Sequence, residues 1–381
     1  MSRIDYVCAD CGNFSYKLKS ENPSELLFPN IPLQCKVKSC RGDLEEIIVL
    51  GATKLENFRR CPKYFEYVNI LGLKSPKTIQ LALGTIVHSF CENFYWKNYE
   101  NQESFIKQFK GIWYSKVKTG EHKEIGNVKV FCKDEKERDS IFGAYGGIGC
   151  KMLGDFWDRH IGKRKELQTT REEKLKEFEL QMKAERKGNK GRWKLTASER
   201  NLFFGGLNLF PKTEVSFQIS WTDSFGRTHY LRGSIDRIDE YNGGYCISDY
   251  KSSKKVETQQ TSVQMLERPN QFAIYSVSAE ILFGQKPECI FVYYLRNDSV
   301  HSISINESHL ETLAKDLTEV EETVKSGVFE KRTGYHCNSC DFHQTCIGSS
   351  ASKLNGKTQT EFDKDVEHFW SEVEISSEGV E

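Results

Sequence analysis

The sequence predicts an α/β fold preceded by a small, separately stapled N-terminal unit. Three observations carry this reading. Between residues 80 and 99 apolar residues recur at helical spacing, with Leu83, Val87, Phe90 and Phe94 on one stripe. Between 212 and 305 the period changes to two, as in Val215, Phe217, Ile219 and Trp221, with a helical stretch over 270–283. Four cysteines stand in two pairs near the start, Cys8 with Cys11 and Cys35 with Cys40.

Residues 1–48 are too few to build a self-sufficient core, so a metal staple answers a stability problem. The two cysteine pairs suit a zinc ribbon, with Zn²⁺ held by Cys8, Cys11, Cys35 and Cys40, and with Phe14, Tyr16 and Leu18 alternating as in a short strand. Nucleic-acid contact and protein docking are both open to such a ribbon; four surface thiols on an arm is the plain alternative. A helix is expected from Thr53, where Thr53 and Glu56 fit a capping box, running on to Phe58 and Cys61-Pro62. Residues 101–200 read as a helical, partly basic insertion. Its segment 163–194 has 12 basic and 6 acidic residues, which suits either a solvated helical arm or a phosphate-backbone contact. The glycines over 143–149 follow no strand and are no dinucleotide loop, and Gly356-Lys-Thr358 has Ala351 where a phosphate loop requires glycine. Strands are expected over 230–240, 245–251, 289–295 and 300–305, and a last helix from Ser308, with Glu311 completing a capping box. Residues 351–381 form an acidic tail, 361–381 carrying eight acidic residues against one lysine. The expected units are therefore 1–48, 49–350 and 351–381.

The chain has 381 residues, with 54 basic and 54 acidic side chains. No run approaches the roughly 18 apolar residues of a membrane span, and Met1-Ser-Arg-Ile-Asp-Tyr6 opens no signal peptide. An intracellular protein, cytoplasmic or nucleoid-associated, is expected. Its thirteen cysteines then point to metal ligation rather than disulfides. Cys91, Cys132, Cys150, Cys246 and Cys289 are scattered and read as buried thiols.

The chemistry concentrates in one hairpin. Asn242-Gly243 between alternating runs is a two-residue turn signal, and that register places Asp236 opposite Asp249. Two carboxylates facing each other across a ladder repel. A positive group belongs between them: a divalent cation, with Lys251 on the same strand face as Asp249. Hard oxygen donors suit Mg²⁺ or Mn²⁺.

These residues resemble a known family. Gly233-Ser-Ile-Asp236-Arg-Ile-Asp239 followed by Ile247-Ser-Asp249-Tyr-Lys251 is similar to the PD-(D/E)xK nuclease core in its RecB-type form, which includes the CRISPR-associated iron–sulfur exonucleases. Gly84-Thr-Ile-Val-His88 matches that family's G-x-x-x-H helix, Glu214 its earlier strand glutamate, and Gln271 to Tyr275 its Q-x-x-x-Y helix. The likeness covers roughly residues 50–350. It implies a restriction-endonuclease-like core, a central mixed sheet flanked by helices. It also implies Mg²⁺ or Mn²⁺ on His88, Asp236, Asp249 and the Tyr250 carbonyl, with Lys251 acting on the attacking water, Glu214 contributing to the site, and Gln271 and Tyr275 along the DNA path. Phe58-Arg-Arg-Cys61-Pro-Lys-Tyr64 with Cys337, Cys340 and Cys346 resembles the four-cysteine clasp that holds a [4Fe–4S] cluster in some members; zinc in the same thiolates is the alternative.

The resemblance implies a metal-dependent deoxyribonuclease, a single-strand exonuclease type that processes DNA ends in recombination, repair or replication, in a cell, a virus or a mobile element. A helicase or recombination complex is the partner it suggests, besides DNA. Two other readings stand beside it: a catalytically silent nucleic-acid-binding scaffold, which would have an eroded metal site, and a zinc-ribbon factor acting on RNA.

Overall fold

The computed structural model describes residues 3–8, 14–18, 44–73, 77–185, 211–253 and 269–347. Cys11, Cys35 and Cys40, three of the four expected zinc ligands, lie outside these residues, as do 186–210 and the acidic tail. Cys8 ends strand β1 (Arg3–Cys8), which pairs antiparallel with β2 (Phe14–Leu18) and β3 (Leu44–Ile47) in a three-stranded sheet.

Eight α-helices follow in chain order among the described residues. They are α1 (Ala52–Arg60), α2 (Pro62–Phe65), α3 (Ile79–Asn93), α4 (Gln102–Ile112), α5 (Glu135–Glu185), α6 (Asn270–Phe283), α7 (Glu307–Ser326) and the short α8 (His343–Ile347). The main sheet consists of β4 (Val49–Leu50), β5 (Lys212–Thr222), β6 (Thr228–Tyr241), β7 (Gly244–Lys251), β8 (Cys289–Tyr294) and β9 (Ser299–Ile303). Strand β6 is its spine. One edge carries β5 antiparallel; the other carries β4, parallel at Tyr230 and Leu231, and then β7, antiparallel from Arg237 to Tyr241. Between those two partners that edge of β6 is open, and Asp236 lies in the opening. Strands β7 and β8 are parallel and therefore need a crossover, which contains α6. The turn is the expected one: Tyr241 pairs with Gly244, and Asn242 and Gly243 take φ of 50° and 82°.

Each face of the sheet is covered. Phe90, Phe94, Phe105, Trp113 and Phe156 from the α3–α5 side pack with Tyr250 in one core. Leu55, Phe58, Ile274, Leu313 and Leu317 from α1, α6 and α7 pack with Ile235, Ile247 and Val292 in the other. The result is a mixed sheet between two helical layers.

Several local expectations are corrected. Helix α1 starts at Ala52, with Gly51 rather than Thr53 as N-cap and no side-chain cap. Glycine is required there because a Cβ would stand 2.5 Å from the Arg232 carbonyl oxygen of β6. At α7 the capping box belongs to Asn306: its Oδ1 accepts from His309 N at 3.1 Å, and its own N–H donates to His309 Nδ1 at 3.2 Å. The helix expected over 80–99 ends at Asn93. The 143–149 glycines lie inside α5, where a Cβ on Gly149 would overlap Phe109 of α4.

The basic segment is in part neither a solvated arm nor a phosphate contact. Arg164 is 3 % exposed, donating from Nε to the Phe94 carbonyl at 2.9 Å and from Nη2 to those of Lys97 and Tyr99 at 3.0 and 3.1 Å. Its guanidinium thereby takes up the C-cap carbonyl of α3 and two carbonyls of the turn that follows. Lys163 Nζ pairs with Asp239 Oδ1 at 2.6 Å. Of the five scattered thiols, Cys91 and Cys246 are buried and Cys150 and Cys289 half-buried, but Cys132 is exposed, in the loop before α5. Among the described residues no helix is long and apolar enough to cross a membrane.

Candidate active site

The site forms where strand alternation fails. Ile235 and Ile238 both belong to the core under α6, while Arg237 contacts Tyr95 and Tyr250 on the α3 side. Strict period-two alternation would put Ile235 and Arg237 on one face. The partner strand is irregular at the same level: Glu214 has φ of 49°, and the β5–β6 ladder skips the Glu214–Asp236 step between Thr213–Arg237 and Val215–Ile235. Beyond Arg237–Ser248 the β6–β7 pairing also stops. Asp236 and Asp249, next in the expected register, sit just past the last paired residues.

Helix α3 carries His88 to this point. Ile79, Ala82, Leu83, Ile86 and Val87 anchor its buried face. A Cβ on Gly84 would stand 2.8 Å from Ser252 Oγ, so this glycine lets the helix lie against the chain leaving β7. One turn later His88 Nδ1 is 3.5 Å from Asp236 Oδ2. Burial lowers the His88 pKa, opposed by the Asp249 charge, so the ring is neutral near pH 7 and offers a lone pair.

Asp236 Oδ2 accepts from Tyr250 N at 2.8 Å. Burial, and then the Asp249 charge, push the Asp236 carboxyl well above the usual range. Asp249 is 1 % exposed; its Oδ1 accepts from Gln271 Nε2 at 3.0 Å and its Oδ2 faces Lys251 Nζ at 2.8 Å. Lys251 Nζ also donates to Gln271 Oε1 at 2.9 Å, and Gln271 Nε2 donates to Tyr275 OH at 2.9 Å. Gln271 and Tyr275 thus fall on one face of α6 and close a polar ring with Asp249 and Lys251. Glu214 Oε2 accepts from Ser234 Oγ at 2.7 Å, close enough for its charge to help raise Asp236.

Sequence reasoning missed three members of this neighbourhood. Ser234 holds Glu214. Glu92, one helical turn beyond His88, has its pKa raised by burial and then by the Glu214 charge; the i, i+4 spacing from His88 was its available signal. Arg237 lies behind the sheet, fully buried.

A buried carboxylate (Asp249), a half-buried one (Asp236) and a neutral imidazole are a donor set suited to Mg²⁺ or Mn²⁺. As they stand the groups are not closed on an ion: among the described residues no three His, Cys, Asp or Glu side chains form a group that could hold one. Tyr250, Lys251 and Gln271 take up the carboxylate oxygens instead.

A second constellation forms between the α1–α2 junction and the segment 331–346. Cys61, between α1 and α2, and Cys337, Cys340 and Cys346 line one pocket together with Arg60 and Lys331. The Cys346 thiol is pushed up by burial, with Cys61 and Cys337 adding to the shift. Arg332 N–H donates to Cys61 Sγ at 3.5 Å, and Arg60 Nη2 to the His336 carbonyl at 3.2 Å. His336 and His343 each engage a backbone carbonyl through one ring nitrogen.

A comparison with curated proteins found no match. Among solved structures, that of SSO0001 is similar at 17% identity over 40% of this chain and 66% of that one, with a TM-score of 0.24. The chain thus spans just under two thirds of that protein's length, and a superposition at this TM-score carries no weight for fold or function. A family model described as the PD-(D/E)XK nuclease superfamily matches residues 49–347. That stretch is well over half of the chain and contains His88, Glu214, Asp236, Asp249 and Lys251 along with Cys61, Cys337, Cys340 and Cys346; the chain belongs to the PD-(D/E)XK nuclease superfamily.

Proposed function

We propose that this chain is a metal-dependent deoxyribonuclease that acts on single-stranded DNA ends. The observation that carries the reading is the placement of Asp236 and Asp249 one step beyond the end of the β6–β7 ladder, with Lys251 2.8 Å from Asp249. A scaffold without activity has no need to keep a buried and a half-buried carboxylate beside a lysine. His88, Asp236, Asp249 and the Tyr250 carbonyl would hold Mg²⁺ or Mn²⁺. When bound, such an ion supplies Lewis-acid activation of water and neutralises charge on the phosphate. Lys251 is set by Asp249 and Gln271 with its ammonium group toward the same opening, where it donates to an oxygen of the reacting phosphodiester. Gln271 fixes the carboxylate and the ammonium relative to each other, and with Tyr275 lines the path of the strand.

In the same reading Cys61, Cys337, Cys340 and Cys346 hold a [4Fe–4S] cluster. A single zinc with Zn–S bonds of about 2.3 Å needs its sulfurs about 3.8 Å apart, whereas a four-iron cube keeps its cysteines farther from one another. Four cysteines around one pocket are the all-thiolate ligand set that such a cluster takes. Cys8, Cys11, Cys35 and Cys40 hold a separate zinc.

The test is digestion of end-labelled and circular DNA, single- and double-stranded, with Mn²⁺. The expected result is cleavage of linear single strands only, abolished by Asp249→Asn and by Lys251→Ala while both variants fold and bind DNA. Near-normal cleavage by both variants, or none by the wild type, overturns the reading. Metal analysis of anaerobically prepared protein reads the cluster separately: about four irons and one zinc are expected, and two zincs without iron refutes it.

A further inference from the structure

We propose that Arg237 is a positioning residue for the two catalytic carboxylates, acting through Tyr250 from behind the sheet; the proposal rests on the nuclease reading of the site. Backbone pairing cannot do this work, because the β6–β7 ladder ends at Arg237–Ser248 and the carboxylates lie one step beyond it. Past that step the described contact between Asp236 and β7 is the bond from Tyr250 N to Asp236 Oδ2 at 2.8 Å. The position of the Tyr250 backbone therefore sets the position of Asp236.

Tyr250 is itself held from the opposite face. Its phenol oxygen accepts from Arg237 Nη1 at 2.6 Å, and the same guanidinium bonds Tyr95 OH at 2.8 Å, Ser248 Oγ at 3.3 Å and Asp239 Oδ2 at 2.6 Å. Arg237 and Asp239 are 3 % and 4 % exposed, and Lys163 reaches Asp239 from α5. The rigid planar fork thus joins β6, β7 and the turn that follows α3, and its counter-ion ties in α5. Because Arg237 directly follows Asp236 in the chain, a closed loop results: Asp236 to Arg237 through the backbone, Arg237 to Tyr250 through the phenol, Tyr250 back to Asp236 through its N–H. The break in alternation at Asp236 makes the loop possible by sending Arg237 to the α3 side.

A merely structural Arg237 would be equally indifferent to losing either phenol. Tyr95→Phe and Tyr250→Phe each remove one hydroxyl from the same guanidinium nitrogen and keep the ring, but only Tyr250 stands on the catalytic strand. The experiment compares the two variants by steady-state cleavage, thermal unfolding and direct titration with Mn²⁺ in the absence of DNA. For Tyr250→Phe we expect kcat to fall tenfold or more at unchanged KM, and the Mn²⁺ concentration at half-saturation to rise at least fivefold. For Tyr95→Phe we expect a comparable loss of Tm, with kcat and Mn²⁺ affinity within twofold of wild type. Equal kcat and equal Mn²⁺ affinity in the two variants overturns the proposal. If the wild type cuts no DNA, the nuclease reading fails, and the Mn²⁺ titrations still decide the role of Arg237.

Discussion

Replacing Gln271 by methionine tests whether its amide organises the active site or merely touches substrate. The change keeps side-chain length and removes three hydrogen bonds, to Asp249 Oδ1 at 3.0 Å, from Lys251 Nζ at 2.9 Å and to Tyr275 OH at 2.9 Å. Two of the three have an ionised partner, and such bonds contribute about 1.5–3 kcal/mol each. Asp249 and Lys251 remain paired with each other at 2.8 Å, so neither charge is stranded and the two contributions do not add in full. The expected loss of alignment is therefore about 1.5–3 kcal/mol in total, or roughly 10- to 150-fold in rate. Single-turnover cleavage of end-labelled single-stranded DNA reads the chemical step, and binding of the same DNA without metal reads affinity. The rate should fall by that factor, with affinity changed less than threefold and Tm by no more than a few degrees. A Gln271→Met enzyme that cuts at the wild-type rate refutes the reasoning. So does one that keeps its single-turnover rate and loses DNA affinity, since Gln271 would then serve the strand and not the catalytic pair.

If the proposed cluster is present, Cys346→Ser should lower Tm and remove its brown absorbance, and added Mn²⁺ should restore neither, because Cys346 lines a pocket that contains neither Asp236 nor Asp249. Stability should also vary with pH through His229, which is fully buried between Glu321 Oε1 at 2.9 Å and Asp223 Oδ2 at 3.2 Å. Burial pushes His229 down, but Glu321 and Asp223 outweigh it and raise its pKa. Its contribution is thus complete below the unfolded value of about 6.5 and is lost as pH rises through the raised folded value. Burial pushes Asp223 up, but hydrogen bonds from the Arg227 and Phe225 backbone and from His229 and Arg227 bring it down to about 2. That contribution is present above the unfolded carboxylate value of about 3.9 and is lost as pH falls toward the folded one. Thermal unfolding across pH should therefore show a plateau between these limits, and His229→Gln should remove its alkaline shoulder; an unchanged alkaline limb would discard this account. Gly51→Ala should lower Tm, because the new Cβ meets a backbone oxygen at 2.5 Å that cannot rotate away, at a cost of about 1–3 kcal/mol. An unchanged Tm would show that α1 can slide on β6 freely.

Features governed by neighbours in the chain were legible. The Asn242-Gly243 turn and its register, the helix over Asn270–Phe283 and the strands near 289 and 300 depend on local φ preferences and on hydrophobic period, and they stand where expected within a residue or two. Resemblance groups Cys61 with Cys337, Cys340 and Cys346, and the fold brings them to one pocket. Helix starts were less legible. Thr53 and Ser308 were reasonable caps by composition, but close packing of Gly51 on Arg232 and the reciprocal bonds of Asn306 with His309 decided the ends. Arg164, counted among the charges of a basic arm, is the seal on the end of α3, which net charge along a helix cannot reveal.

The sequence by itself determined the chemical inventory of this protein: the carboxylates of Asp236 and Asp249, the lysine two residues on, the histidine a turn after Gly84, and the register that sets the carboxylates opposite one another. These follow from side-chain identity and from a two-residue turn whose geometry is local. Tertiary structure alone decided that alternation fails at Asp236, that the ladder stops one step short of the carboxylates, and that Arg237 therefore faces Tyr95 and Tyr250. The physical reason is that strand period is a property of an isolated strand. Where β6 must meet β5, β4 and β7 on two edges and two helical layers on two faces, the packing of those neighbours overrides it.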